Sequence, residues 1–215
     1  MTGEETISVL KRCLKVATRL TGNEHGSLGL HPAVYFYTER GKHSRFLFLG
    51  TLKALSDHVR NNNKDWFKKF TKARGSIEAL LVSRKPLINQ GLANVSNKKR
   101  IDRVAKLIND LVIAFNSEKP LDNALIVTSL GLKGDPSTFQ ALDFPKDFPP
   151  EVKSAVFLQN ALSTATKCPI CGGLLSVTQS VSYDHVLARS KGGNGEITNA
   201  QLTHPYCNQS IKGDN

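Results

Sequence analysis

Cys168-Pro-Ile-Cys171-Gly-Gly and His204-Pro-Tyr-Cys207 decide how the C-terminal part of this chain folds. In each stretch two donor residues are separated by two others. The first is followed by two glycines, a tight turn that aims both sulfurs at one point. The second offers one nitrogen and one sulfur. Together they supply four soft or borderline donors, Cys3His, the set a closed tetrahedral zinc site requires. A fourth Cys would be the more usual donor where His204 stands. The other readings are a redox Cys-x-x-Cys pair and unliganded buried cysteines. Redox chemistry would need a preceding strand and a βαβ context, and neither is apparent. Residues 165–215 hold few large apolar side chains, mainly Ile170, Leu174, Leu175, Val177, Val181, Tyr183, Val186, Leu187, Leu202 and Tyr206. A segment this short rarely folds on its core alone, and metal ligation supplies what is missing.

Between the two half-sites runs Tyr183-Asp184-His185-Val186-Leu187-Ala188-Arg189-Ser190-Lys191-Gly192-Gly193, followed by Asn199-Ala-Gln-Leu202 and Cys207-Asn208-Gln209-Ser210-Ile211-Lys212-Gly213. Ser182 to His185 reads as the end of a strand, which turns Asp184 and His185 to opposite faces. One can hold a metal while the other meets substrate. Gly192 and Gly193 permit a sharp return, Asn199 begins a short second strand, and Asn208 opens a short terminal helix tethered to the zinc by Cys207.

From Cys168 to Gly213 these residues resemble the HNH endonucleases, the zinc-knuckle branch of the ββα-metal nucleases. The zinc pair, Asp-His, the Gly-Gly loop, the mid-motif Asn and the terminal Cys-Asn all occur in order. The family usually carries Cys where His204 stands, a departure that bears on zinc and not on catalysis. The resemblance implies that Asp184 and Asn208 bind one catalytic Mg²⁺ or Mn²⁺ and that His185 is the general base. It implies that Asn199 pins the loop and orients that base rather than binding metal. Oxygen donors suit the hard ion, while the sulfur site selects zinc. Arg189 and Lys191 are candidate phosphate contacts. A domain that binds nucleic acid without cutting it is the competing reading.

The rest of the chain is basic. Of the formal net charge of +11, residues 40–106 carry 17 Lys and Arg against 4 Asp and Glu. Such an imbalance repels itself, and a polyanionic partner relieves it. The clearest helix, about Lys98 to Phe115, opens with Lys98, Lys99, Arg100 and Arg103, against the helix macrodipole. These four are candidate DNA contacts, an arrangement easiest to understand if phosphate docks there. Apolar spacing predicts a first helix over 6–20 closed by Gly22, with Cys13 in the core. It predicts a β-prone run over Ala33 to Tyr37. Phe46 to Val59 starts like a strand and continues as a helix, and Asp65 caps the next one. Five prolines interrupt Pro120 to Pro150, and a short helix runs from Pro150 to about Leu162. Leu28-Gly-Leu-His31-Pro-Ala-Val-Tyr-Phe-Tyr37 resembles a segment of bacterial restriction proteins with ParB-like domains, which implies a defence setting.

With 40% hydrophobic and 22% charged residues, the composition is that of a globular protein and excludes a wholly disordered chain. No apolar run reaches 18 residues, which excludes a spanning helix. Glu4 and Glu5 at the start do not read as a signal peptide, so a cytoplasmic location is expected. The fold class expected is α+β. A basic, mainly helical DNA-binding or regulatory domain over 1–160 precedes a zinc-stabilised ββα-metal nuclease domain over 161–215. The function expected is metal-dependent hydrolysis of DNA phosphodiesters in restriction or anti-phage defence. A monomer nicks, and a homodimer or a larger defence complex is left open. The alternative is a non-catalytic or partner-activated nucleic-acid-binding subunit.

Overall fold

The computed structural model describes residues 2–133 and 146–212. Pro136 and Pro145, two of the five prolines noted above, and Gly213 lie outside them. The fold is α+β, mainly helical with a small two-stranded sheet near the C-terminus. The chain divides into two compact units, one of residues 1–31 with 166–215 and one of residues 32–165. The expected division at 160/161 falls close to the second boundary but misses the first. Residues 1–31 go with the C-terminal segment, because backbone atoms of residues 20–31 bond to it, as set out below.

The regular elements described in the unit of residues 32–165 are all helices, apart from an isolated bridge between Tyr37 and His43: α2 (Pro32–Tyr35), α3 (Arg45–Arg60), α4 (Lys64–Ser83), α5 (Lys85–Ala93), α6 (Asn97–Asn116), α7 (Asn123–Leu130) and α8 (Pro150–Ser163). α3 packs most extensively on α6, which also packs on α4 and α7. Leu55, Phe70, Ile77, Leu107, Leu111, Ile126 and Leu130 form the fully buried part of this core. A buried ion pair crosses it: Arg74 Nε donates to Glu78 Oε1 at 2.6 Å, and the Tyr35 hydroxyl donates to the same oxygen at 3.0 Å. Removing one partner of such a pair strands the other in the interior.

Three local expectations change. Ala33 to Tyr37 lies largely in a helical turn, not a strand. Pro32 fixes the first helical φ, and Lys85 Nζ donates to the carbonyls of Ala33, Val34 and Tyr37, which a strand would have offered to a neighbour. α3 is helical from Arg45, where Ser44 Oγ accepts from the Leu47 amide. Asn63, not Asp65, caps α4 by accepting from the Trp66 amide at 3.0 Å. Asp65 sits in the first turn and pairs with Lys69.

The other unit contains α1 (Gly3–Thr21), the antiparallel strands β1 (Ser182–His185) and β2 (Ala200–Thr203), and a terminal helical turn of the wide, π type (Cys207–Lys212). In α1 the apolar stripe is exposed, with Ile7, Leu10 and Leu14 more than half accessible and Leu20 alone among its described residues buried. Cys13 is exposed too, not core. Residues 20–31 are tied to the zinc-ligand region. The Leu28 and Leu30 amides donate to the Arg19 and Leu20 carbonyls, and the Tyr206 amide donates to the Ser27 carbonyl at 2.8 Å. Ser180 Oγ donates to the Gly22 carbonyl, and the Val181 amide donates to Asn23 Oδ1 at 2.8 Å. Leu28 and Leu30 are each 1% exposed, so they add apolar mass that residues 166–215 lack.

Gly29 closes this brace. Its φ of +56° is left-handed, and a Cβ there would lie 2.8 Å from Ser180 Oγ and 3.0 Å from His204 Cδ2. An L side chain at such a φ costs about 1–2 kcal/mol before any contact is counted. Gly29→Ala is therefore expected to lower the melting midpoint and weaken zinc retention. Gly3→Ala, which meets nothing within 4 Å, is expected to leave both unchanged. Differential scanning calorimetry with zinc quantitation on the two variants checks this.

Candidate active site and metal centre

The knuckle is a small hairpin. The Cys168 amide donates to the Gly173 carbonyl and the Gly172 amide to the Cys168 carbonyl, both at 2.8 Å, while the Gly173 amide points at Cys171 Sγ at 3.4 Å. That places Cys168 and Cys171 side by side. Thr203 ends β2, so His204 and Cys207 arrive as the chain leaves the sheet. The four donor atoms lie within 4.8 Å of one another and all four residues are buried. His204 Nδ1 is 3.3 Å from Cys171 Sγ and 3.9 Å from Cys207 Sγ. Its Nε2 is 3.1 Å from the Leu174 carbonyl, so that nitrogen carries the proton and donates. Nδ1 is left with its lone pair toward the sulfurs, the outer-shell arrangement that fixes a metal-ligating histidine.

The sulfurs perturb one another. Hydrogen bonds from Cys171 and Cys207 hold the Cys168 thiol well below the usual range, and the sulfurs of Cys168 and Cys171 push Cys207 far up. Three sulfurs this close cannot all ionise without a cation among them. Three thiolates and an imidazole, buried and with no position left open, form the donor set of a structural zinc site.

The second cluster lies on the sheet. β1 pairs antiparallel with β2, with Asp184 opposite Gln201 and His185 opposite Ala200. Asp184 faces inward and is 6% exposed, while Tyr183 and His185 face the other way. Gln201 Nε2 donates to Asp184 Oδ2 at 2.7 Å. Lys212 Nζ donates to Asp184 Oδ1 at 3.0 Å, to Oδ2 at 2.8 Å, and to the His185 carbonyl. Asn208 Nδ2 donates to Ser182 Oγ at 2.8 Å and to the Tyr183 carbonyl at 3.1 Å. These bonds anchor its amide to the strand beside Asp184 and leave Oδ1 as the group able to meet a cation. A buried carboxylate on β1, with an amide anchored to the residues just before it on the same strand, is donor chemistry that fits a hard divalent ion.

His185 Nε2 accepts from Arg189 Nε at 3.3 Å. Asn199 spends its whole amide on the loop: Oδ1 accepts from the Leu187 amide at 2.7 Å, and Nδ2 donates to the Leu187 and Asn194 carbonyls at 3.2 and 2.8 Å. Its own carbonyl accepts from the Val186 amide. Nothing on Asn199 is left to bind metal, and the segment just after His185 is fixed by it. The loop closes so tightly that a Cβ on Gly193 would fall 1.8 Å from the Leu187 carbonyl oxygen.

The remaining candidates fare unequally. Lys191 is exposed and Arg189 is held by His185. Lys98 and Lys99 are exposed in the first turn of α6, in the other unit. Arg100 is committed elsewhere: it donates to the Val95 and Ala93 carbonyls at 2.8 and 3.2 Å and stacks over the Phe46 ring. Arg103 packs its guanidinium against Gly131, at the end of α7. Lys212 and Gln201 were not singled out from the sequence. Lys212 stands one helical turn after Asn208, so its spacing was visible, but only the fold shows that its ammonium reaches Asp184.

A zinc knuckle, a two-stranded sheet carrying Asp-His, and a terminal helical turn carrying Asn define a ββα-metal unit. Residues 168–213 match the HNH endonuclease family model, a domain type that is in general a nuclease. No curated protein and no solved structure matches the chain. The likeness of Leu28 to Tyr37 to restriction proteins with ParB-like domains is not confirmed. In the fold Leu28 and Leu30 serve as buried brace residues.

The donor set predicts stoichiometric zinc in the purified chain by mass spectrometry of the metal. Cys171→Ala is expected to lose it together with the sheet's circular-dichroism signature. A wild-type chain that stays metal-free after zinc-supplemented expression would contradict the assignment.

Proposed function

We propose that this chain is a metal-dependent DNA endonuclease that nicks duplex DNA. The observation that carries this reading is the joint placement of Asp184, His185 and Asn208 on or against one short strand. A loop pinned by Asn199 holds the same strand. Asp184 and Asn208 are the residues that would hold Mg²⁺ or Mn²⁺. Such an ion supplies positive charge to the scissile phosphate and to the leaving 3′-oxygen.

His185 takes the proton from the attacking water. It sits on the accessible face of β1, next to Tyr183, which is 76% exposed, so a substrate strand can reach it. Arg189 sets the ring in place through a long, exposed contact at Nε2. That guanidinium turns to an arriving phosphate and frees the nitrogen, as resting-state catalytic bonds commonly do. Lys191 adds a second phosphate contact from the same loop. With one such site per chain, a monomer cuts one strand.

Affinity for the duplex comes from the basic helical unit. Residues 32–165 carry 21 Lys and Arg against 12 Asp and Glu, so most of the net charge lies outside the nuclease unit. Contacts of this kind are with phosphate and are salt-dependent. Lys98 and Lys99 are the contacts retained from the start of α6. Arg100 is occupied by its carbonyls. Restriction or anti-phage defence in the cytoplasm is the setting proposed for this activity.

The test uses supercoiled plasmid with Mg²⁺ or Mn²⁺, with and without EDTA. Relaxed circles in the metal lanes alone support the reading. Retarded but uncut plasmid in every lane would favour a binding scaffold. His185→Ala is expected to lower the nicking rate by about 10²–10⁴-fold with DNA retardation retained. An unchanged rate removes His185 from the reaction.

A further inference from the structure

The contact between Lys212 and Asp184 has no counterpart in the roles set out so far. Asp184 is 6% exposed, and Lys212 Nζ spans both of its oxygens while also reaching the His185 carbonyl. Gln201 supplies the other bond to that carboxylate among the described residues, and it is neutral. The ammonium therefore provides the positive charge that a buried carboxylate requires. It sits on the oxygens that a divalent ion would use. A divalent ion on those oxygens would face strong repulsion from the ammonium at such separations in a partly desolvated site.

We propose that Lys212 is an internal counter-cation that holds the Asp184 carboxylate in place and is exchanged for the divalent ion. This rests on Asp184 being an ion ligand. The geometry permits the exchange. The Lys212 side chain is 31% exposed, and its stem is a flexible four-carbon chain. Once displaced, the ammonium lies beside the ion and near His185, where the phosphate of a bound strand gives it a new partner. Ion loading and substrate binding are thereby coupled. Metal binds weakly while Lys212 has only Asp184 to hold, and more tightly when phosphate draws the ammonium away. Linkage makes the converse true as well.

The experiment measures Mn²⁺ binding by electron paramagnetic resonance on the zinc-loaded full chain, for wild type, Lys212→Met, Lys212→Arg and Asp184→Asn. The expected result is that Lys212→Met binds Mn²⁺ roughly tenfold more tightly, within the usual range of site-to-site coupling. Its nicking rate at saturating Mn²⁺ falls. Lys212→Arg keeps an affinity close to wild type. A merely structural lysine would instead weaken Mn²⁺ binding when removed. Unchanged or weaker binding in Lys212→Met, with zinc content retained, overturns the proposal. Should that variant lose its zinc, Lys212→Gln, which keeps a donor but no charge, is measured in its place under the same criterion. If Mn²⁺ binding proves indifferent to Asp184→Asn, the ion site itself is wrong and the nuclease reading falls with it. If binding depends on Asp184 but ignores Lys212, only the exchange is refuted.

Discussion

The HNH-matching segment is organised by the convergence of Cys168, Cys171, His204 and Cys207. Their donor atoms close within 4.8 Å although the two pairs are separated by more than thirty residues of chain. That closure fixes both ends of the intervening segment. Cys171 leads into the knuckle hairpin, and His204 and Cys207 flank the turn from β2 into the terminal helix. The strand register, the inward face of Asp184 and the position of Asn208 all follow from holding those ends together. Apolar burial alone could not do this. Val177, Tyr183, Val186 and Leu187 are all substantially exposed, and the buried cluster around the cysteines contains only Leu175 besides them. Zinc ligation in small domains is worth about 10–16 kcal/mol of apparent binding free energy, which is folding free energy when the site does not exist unfolded.

The same shortage of core explains why residues 20–31 belong to this unit. A hairpin, two four-residue strands and one helical turn leave polar backbone and His204 to be covered. Leu28 and Leu30 cover them, Ser27 accepts from the Tyr206 amide, and Gly29 lets the backbone come close enough to touch the His204 ring. Arg19 stacks over Tyr206 at 4.9 Å from the same side, and burial lowers the pKa of its guanidinium. A zinc ligand is thus held by residues from both ends of the described chain.

How much of this was legible differs by the range of the interaction. The ligand pairs, the Asp-His strand and the long helix α6 were readable, because each is set by spacing within a short stretch. α6 shows a helical apolar face, and Cys-x-x-Cys states its own geometry. What was not readable depends on partners distant in sequence. Ala33 to Tyr37 has β-prone side chains, yet Pro32 and the Lys85 ammonium, about fifty residues away, make it helical. Arg100 reads as a phosphate ligand until the carbonyls of Ala93 and Val95 are seen to claim it. Cys13 and the stripe of α1 have the pattern of a buried face, but pattern says only which side is apolar, not whether anything covers it. Lys212 is the most instructive case. Its place one turn after Asn208 was plain, but its role lies in a carboxylate on β1, 28 residues earlier in the chain.

On the proposed reading, the two units divide the electrostatic work in a way that a single basic protein could not. The helical unit carries an excess of nine positive charges and no candidate chemistry. The nuclease unit is close to neutral, with 8 Lys and Arg against 6 Asp and Glu. Strong positive charge next to Asp184 would oppose loading of a divalent ion, since the same field that attracts phosphate repels metal. On that reading the excess charge that gathers DNA is carried by the helical unit, and the carboxylate keeps a counter-cation from its own unit. The cation that meets Asp184 among the described residues, Lys212, gives way to the ion under the exchange proposed above. A counter-cation that gives way at the carboxylate and a charge excess carried by the other unit are different answers to one conflict between binding a polyanion and binding a cation.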